Sequence, residues 1–155
     1  MKLCSEFFQV IEFLQKAETI SPVHTYQFQP ESAVYSGYSF QSKSCIGYFR
    51  IGKKTPLKSG YFIAFWKRDE QGITIPYAVE DTFNVLVVAV CNENQLGFFT
   101  FPKNVLHKYG CLSFQKKGGK RGMRLYAPWN DVTSVEAQRA KKWQIQYFRI
   151  LKTKL

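Results

Sequence analysis

The chain has 155 residues, of which 45% are hydrophobic and 17% aromatic, so it can bury a core without a metal or a disulfide. This composition excludes an intrinsically disordered chain, and the lack of any run of 18 apolar residues argues against a membrane-spanning helix. The formal net charge is +11, from 22 lysines and arginines against 11 acidic residues. Such a balance predicts a polyanionic partner, with nucleic acid the leading class.

The N-terminal part of the chain predicts one helix followed by an irregular arm. Phe7, Val10, Ile11 and Leu14 recur at helical spacing, which predicts an amphipathic helix within residues 1–18. Two prolines then prevent a regular element across residues 19–34, so this segment is expected to be irregular. Residues 35–155 carry the remaining predicted elements, and we expect the whole chain to form one domain.

The middle of the chain predicts a buried sheet. Four apolar runs rich in β-branched and aromatic residues predict strands, and they span residues 45–51, 61–66, 83–90 and 97–101. Two of them do not alternate with polar residues, which is typical of strands covered on both faces. A short helix over 104–109, a strand over 123–126 and a long closing helix capped by Thr133 or Ser134 follow. The expected fold is α/β or α+β, with a central mixed sheet of about five strands flanked by helices.

The positive charge is gathered into three blocks that contain no carboxylate. Residues 43–68, 103–124 and 137–155 hold 20 of the 22 lysines and arginines, and every acidic residue lies outside them. A surface that needs charge only for solubility mixes the two signs, whereas single-sign stretches attract phosphates. The alternative is that the three blocks scatter over different faces of the folded chain.

The segment 116–122 is the best candidate for a contact loop, because its glycines allow close backbone approach and its cations release counterions on binding. The neutral alternative is a flexible loop kept soluble by charge. Tyr38, Tyr126 and Trp129 are candidates for stacking on bases. Ten cations from the three blocks are predicted to contact nucleic acid: Lys53, Lys54, Lys58, Lys116, Lys117, Lys120, Arg121, Arg124, Arg139 and Lys142.

The sequence gives little sign of an enzyme. Residues 47–55 resemble a phosphate-binding P-loop, but Lys54 stands where a magnesium-binding Ser or Thr is needed. Two histidines are too few for a triad or zinc site, and no acid stands two residues before a lysine, as many metal-dependent nucleases require. A degenerate nuclease site of Asp81, Glu93 and Lys103, using Mg²⁺ or Mn²⁺, is the remaining catalytic alternative. Otherwise no cofactor or metal is predicted.

The four cysteines are far apart in the sequence, which favours reduced thiols over a metal knuckle or a redox pair. The N-terminus places Glu6 where a signal peptide would be apolar. We therefore expect a cytoplasmic protein that does not insert into a membrane. Its oligomeric state is left open.

Several peculiar motifs resemble the MepB family, named for a bacterial protein encoded beside a multidrug efflux pump and its repressor. The resemblance lies in Tyr35–Phe40, in Phe49–Gly60, in Trp66–Arg68 and in segments 97–103, 119–129 and 143–148. It implies a restriction-endonuclease-like core and nucleic-acid binding. It also implies that eight cations belong to family motifs, namely Arg50, Lys53, Lys58, Lys67, Arg68, Lys120, Arg121 and Arg124.

One departure from the family pattern bears on catalysis. This chain has Asn84 where the pattern has a second Asp after Asp81, which removes a possible metal ligand. The leading hypothesis is therefore a nucleic-acid-binding protein that contacts phosphate backbones through a basic surface. The alternatives are a divalent-metal-dependent nuclease with a degenerate site, or a regulatory protein that binds an acidic partner.

Overall fold

The computed structural model describes residues 4–153; residues 1–3 of the predicted helix and Lys154 of the third basic block lie outside them. The three helices are α1 Ser5–Lys16, α2 Lys103–Lys108 and α3 Val135–Gln144, and 3₁₀ turns span Pro30–Tyr35 and Ile145–Tyr147. The strands are β1 Val23–Phe28, β2 Tyr38–Ser42, β3 Ile46–Ile51, β4 Lys53–Thr55, β5 Lys58–Ala64, β6 Trp66–Arg68, β7 Thr74–Pro76, β8 Val85–Cys91, β9 Gln95–Pro102, β10 Gly122–Leu125 and β11 Phe148–Thr153.

The central sheet has six strands in the order β1-β2-β3-β8-β9-β11. Its neighbours are antiparallel except β3 and β8, which run parallel. The predicted mixed sheet is thus confirmed, with six strands where about five were expected. Strands β8 and β9 lie inside the sheet, and all but the last residue of β8 are buried. This burial explains why β8 has no polar alternation.

The predicted irregular arm is wrong for residues 23–28. These residues form β1, which pairs antiparallel with β2. The four middle residues of β1 are exposed, so the strand has no apolar pattern and is held mainly by backbone hydrogen bonds at the sheet edge. A hydrophobic periodicity search cannot find such a strand.

The predicted long closing helix is also wrong in its second half. Helix α3 ends at Gln144, and residues 148–153 form β11 against β9. Trp143 and Tyr147 still pack against the core, because the 3₁₀ turn continues the helical spacing over that distance. The ring of Phe148 then lies over Gly97 of β9. An aromatic and aliphatic run therefore completes the sheet rather than extending the helix.

The two faces of the central sheet are covered differently. Helix α1 packs on one face through Phe7, Val10, Ile11 and Leu14. The other face is covered by a second, three-stranded sheet in the order β10-β5-β4. The sheet was expected to be flanked by helices and covered on both faces. On the second face the cover is mostly the small sheet, with α2 and α3 beside it. The restriction-endonuclease-like core that the resemblance implies stays a prediction.

No helix within residues 4–153 is long and apolar enough to cross a membrane.

Candidate nucleic-acid interface

The three-stranded sheet brings two of the three basic blocks together. Strand β5 pairs with β4 on one side and with β10 on the other. The backbone N–H of Phe65 donates to the carbonyl of Arg121 at 2.9 Å, which continues this pairing before β10 begins. Residues 53–64 and 120–125 contain no carboxylate. We call these two segments the basic sheet, and its six cations are Lys53, Lys54, Lys58, Lys120, Arg121 and Arg124.

A row of charged and aromatic side chains crosses the outer face of the basic sheet. Lys53, Phe62 and Arg124 are direct partners on the three adjacent strands, so their side chains leave the same face of the sheet. The guanidinium carbon of Arg124 lies 5.8 Å from the Phe62 ring centre, and Lys53 Nζ lies 5.8 Å from the ring centre of Tyr35. Both cations thus lie within reach of a favourable cation–π contact with an aromatic ring.

A cleft of about 600 Å³ lies between the basic sheet and α3. Three predicted contact residues line it: Lys58 from the first segment of the basic sheet, and Lys120 and Arg124 from the second. The remaining lining comes from the β4–β5 turn, the segment after α2, β10, the loop before α3 and one side of α3. Two acidic residues, Asp131 and Glu136, also line it. The folded chain therefore assembles a cationic site from blocks that are far apart in sequence.

Arg124 is oriented by its neighbours in the basic sheet. One of its terminal nitrogens donates to Thr55 Oγ1 at 2.9 Å and to the carbonyl of Ser59 at 3.2 Å. These bonds use part of a five-donor fork, so N–H groups of the guanidinium are left for a ligand in the cleft. A side chain held in this way loses less conformational entropy on binding than a free one.

Two side chains fix α3 as the opposite wall. Ser134 caps the helix by accepting a hydrogen bond from the backbone N–H of Ala137 at 3.1 Å, as polar N-cap residues do. At the other end, the buried amide of Gln144 accepts from the N–H of Tyr126 and donates to the carbonyl of Arg124. Gln144 thereby satisfies the free edge of β10 and sets the width of the cleft.

Aromatic rings line the cleft beside the cations. Tyr109 and Trp143 stack with centres 4.2 Å apart and planes at 3°, and Tyr126 lies on the floor. Sequence reasoning missed Tyr109 and Trp143 as site residues, since Trp143 fits a helix stripe that packs on the core. Of the residues predicted to stack on bases, only Tyr126 lines this cleft.

The other two predicted stacking residues have structural roles. Tyr38 is buried and stacks on Phe7 with ring centres 4.3 Å apart. Trp129 donates from Nε1 to the hydroxyl of Tyr61 at 2.8 Å, and that hydroxyl donates to the carbonyl of Cys91. This chain of hydrogen bonds ties the loop after β10 to the end of β8.

Four predicted contact residues lie outside both the cleft lining and the basic sheet. Lys116 and Lys117 belong to a tight turn after Phe114, which is tied to Glu80 through the N–H of Gln115. Arg139 and Lys142 are exposed on α3, and neither lines the cleft. The rotation of the helix places Lys142 on the side opposite to the lining residues. Segment 116–122, the favoured contact loop, is thus divided: its second half leads into the cleft and its first half does not.

One cation of the family motifs is part of the core. Arg50 is fully buried, and its Nη1 donates to Gln29 Oε1 at 2.7 Å and to the carbonyl of Phe49 at 2.8 Å. Its guanidinium carbon lies 5.5 Å from the Phe65 ring centre. Burial lowers the pKa of Arg50, and the neighbouring Tyr77 opposes that shift. Arg50 therefore positions the 29–35 segment over the sheet instead of facing solvent.

The degenerate nuclease site is not assembled as a single group. The Asp81 carboxylate accepts from Lys67 Nζ at 2.6 Å and from the N–H of Ala78 at 2.8 Å. Lys103 Nζ donates to the backbone carbonyls of Val79 and Asp81 rather than to the carboxylate. Glu93 lies in the β8–β9 turn, at the far end of a seven-residue strand, which is about 20 Å away.

Asn84, Asp81 and Lys103 have structural roles around the start of β8. Asn84 accepts a hydrogen bond from the N–H of Ile46 at 2.7 Å and fixes the start of the parallel β3–β8 pair. Within residues 4–153, no group of three or more His, Cys, Asp or Glu side chains is arranged to hold a metal ion. Asp81 and Lys103 thus secure the turn that leads into β8.

The cysteine at the edge of the cleft is expected to be inert. Burial raises the pKa of Cys111 to about 11, so only about one thiol in a thousand is ionised at pH 8. Labelling with a thiol reagent at pH 8 should modify the exposed Cys91 within minutes and Cys111 only after unfolding. Rapid labelling of Cys111 in the folded protein, read by peptide mass spectrometry, would contradict the burial of this thiol.

A family model and a solved structure both relate this chain to the same family. A family model described as MepB-like matches residues 29–149. A solved structure titled "Crystal Structure of MepB" is similar with a TM-score of 0.80 and 30% identity, and the match covers 91% of this chain and 95% of that chain. The comparison with curated proteins gives no match. The segment matched by the family model contains the basic sheet, the cleft and α3.

Proposed function

The chain belongs to the MepB-like family, and we propose that it binds nucleic acid by contacting phosphate groups through the basic cleft and the basic sheet. The cleft cations Lys58, Lys120 and Arg124 neutralise phosphates along one strand. Lys53, Lys54 and Arg121 belong to the same basic sheet and add to its positive surface, and the affinity of the proposed mode comes mainly from phosphate contacts.

The observation that carries this proposal is the meeting of two acid-free blocks in one sheet. Cations scattered over several faces would be the ordinary outcome for a soluble basic protein. Here six of them belong to two paired segments that contain no acidic residue. A surface of this kind keeps a positive potential over several phosphate spacings.

The aromatic rings favour nucleic acid over an acidic protein as the ligand. Stacked and partly exposed Tyr109 and Trp143 line the same cleft as the three cations. Nucleobases stack on such rings with a gain of about 1–3 kcal/mol per base. An acidic peptide offers carboxylates to the cations but has no comparable partner for the rings.

A binding titration against salt tests the proposal. Fluorescence anisotropy with labelled duplex and single-stranded oligonucleotides should show binding at 50 mM salt that weakens steeply as salt rises. With three cleft contacts, a plot of the logarithm of the binding constant against the logarithm of the salt concentration should have a slope of about −2 or steeper. Each phosphate contributes about −0.7 on single strands and about −0.9 on duplex.

Two results would contradict the proposal. One is an absence of binding to every oligonucleotide at low salt, and the other is a slope near zero. The ultraviolet absorbance ratio of the purified protein provides an independent measurement, because a nucleic-acid binder is expected to carry bound nucleic acid through a low-salt purification. An acidic protein ligand would leave that ratio unchanged.

A further inference from the structure

The cleft contains two carboxylates that a simple phosphate-binding surface would not need. Asp131 lies in the loop before α3, and Glu136 lies in the first turn of that helix. Among residues 4–153, the ion pairs within 4.0 Å are Lys16–Glu12 and Lys67–Asp81. Asp131 and Glu136 are therefore not neutralised by the cations on the other side of the cleft. Their charge is available to a ligand.

A bound nucleic acid limits what these carboxylates can contact. An ionised carboxylate only accepts hydrogen bonds, and it repels phosphates. The donors that a nucleic acid offers are ribose hydroxyls and the N–H groups of its bases. The cations and the carboxylates come from different walls, so phosphates and base edges can face opposite sides of one cleft.

The wall of α3 has room for a base beside Glu136. Glu136 and Trp143 line the cleft seven residues apart on α3, which is about 10 Å along a helix axis. Between them the lining residues are Ala137 and Ala140, whose side chains are small. A base held against these two residues can approach the carboxylate with its edge and the aromatic pair with its face.

We propose that Asp131 and Glu136 make the cleft select unpaired bases that carry adjacent ring and amino N–H groups, guanine above all, over thymine and uracil. Two parallel N–H donors of guanine match the two oxygens of a carboxylate, as a bidentate pair. Thymine and uracil present one N–H between two carbonyl oxygens, and these repel the second carboxylate oxygen. This inference rests on the proposed function, because it needs the phosphates held by the opposite wall.

Glu136 also has a position that stabilises α3. An acidic residue in the first turn interacts favourably with the helix dipole. A role limited to helix stability predicts that Glu136→Gln lowers the thermal midpoint and leaves the preference between bases unchanged. The two roles therefore differ in base discrimination, which is measured on the folded protein.

The experiment compares three labelled single-stranded oligonucleotides of equal length. The first contains only thymine, the second carries two separated guanines, and the third carries inosine at the same two positions. Inosine keeps the purine ring and its N–H but lacks the amino group. We expect wild-type protein to bind the guanine oligonucleotide about tenfold more tightly than the inosine one, since a bidentate base contact discriminates by about 1–3 kcal/mol.

The variants assign the preference to the carboxylates. The double variant Asp131→Asn, Glu136→Gln should bind the three oligonucleotides with similar affinity, and its affinity for the thymine oligonucleotide should rise because two repelling charges are gone. Glu93→Gln removes an exposed acid that does not line the cleft and should keep the wild-type preference.

Each result decides between the inference and the proposed function. Equal wild-type affinities with a steep salt dependence would overturn base selection while phosphate binding stands. A guanine preference that survives in the double variant would overturn the assignment to these two residues. Failure of all three oligonucleotides to bind at low salt would overturn both.

Discussion

Replacing Lys58, Lys120 and Arg124 together by glutamine is expected to weaken nucleic-acid binding about 100-fold at 100 mM salt. These three side chains line one cleft from the two segments of the basic sheet, so their removal takes the central charge out of the proposed site. The salt slope should also become shallower by about 2 to 3, because each lost phosphate contact removes one set of released counterions.

A second triple variant controls for total charge. Lys43, Arg149 and Lys152 are exposed on the central sheet and its β2–β3 turn, away from the cleft lining. Changing these three to glutamine removes the same net charge and should alter affinity by less than about threefold. Equal losses in the two variants would mean that net charge, and not the cleft, determines binding.

The buried part of the fold could be predicted because its sequence signal is strong. Strand β8 reads Val85–Val90 without a polar residue, and its position inside the sheet requires that pattern. The edge strands were mispredicted for a physical reason. Strand β1 is exposed along most of its length, and β11 continues an apolar spacing that also fits α3. Edge pairing depends on the neighbouring strand, which a local pattern does not contain.

The candidate site was predicted in its charges and missed in its geometry. Acid-free blocks identified Lys58, Lys120 and Arg124, because charge segregation is visible in one sequence. The pairing of β5 with both β4 and β10, which joins these blocks, is a tertiary fact. The opposite wall was not recognised, since Asp131 and Glu136 lie outside the basic blocks and Trp143 resembles a core residue.

Arg50 shows the limit of arguing from charge alone. The resemblance placed it among the cations of the family motifs, and the side chain is buried and hydrogen-bonded to Gln29 and Phe49. An arginine in an apolar strand can be covered when hydrogen-bond acceptors and aromatic rings surround it. Those partners come from residues distant in sequence, so the sequence pattern does not reveal them.

Substituting Gly47 by alanine is expected to lower the free energy of unfolding by about 2 to 3 kcal/mol, the range for overpacking a filled core. Gly47 of β3 lies opposite Phe40 of β2. A Cβ at this position would lie 2.2 Å from Phe40 Cζ and 2.6 Å from Cε1. The ring cannot move away easily, because Phe40 is buried under α1 and packs near Phe7.

Urea denaturation of Gly47→Ala, Phe40→Leu and the double variant measures this clash directly. Phe40→Leu shortens the side chain at the point of contact, so Gly47→Ala should cost less than about 1 kcal/mol in that background. The cost of Gly47→Ala thus differs between the two backgrounds by at least about 1 kcal/mol, which is a coupling energy within the range for residues in contact. Additive costs would show that the strain arises elsewhere.

The Gly47 variant also separates folding from binding. Gly47 and Phe40 pack on the α1 side of the central sheet, whereas the cleft lies beyond its opposite face, between the basic sheet and α3. Well below its thermal midpoint, Gly47→Ala should therefore bind oligonucleotides with wild-type affinity and salt slope. The cleft triple variant should show the reverse, with lost binding and only a small drop in thermal midpoint. Its three side chains line the cleft rather than the core, and the structural loss is limited to the hydrogen bonds of Arg124 to Thr55 and Ser59.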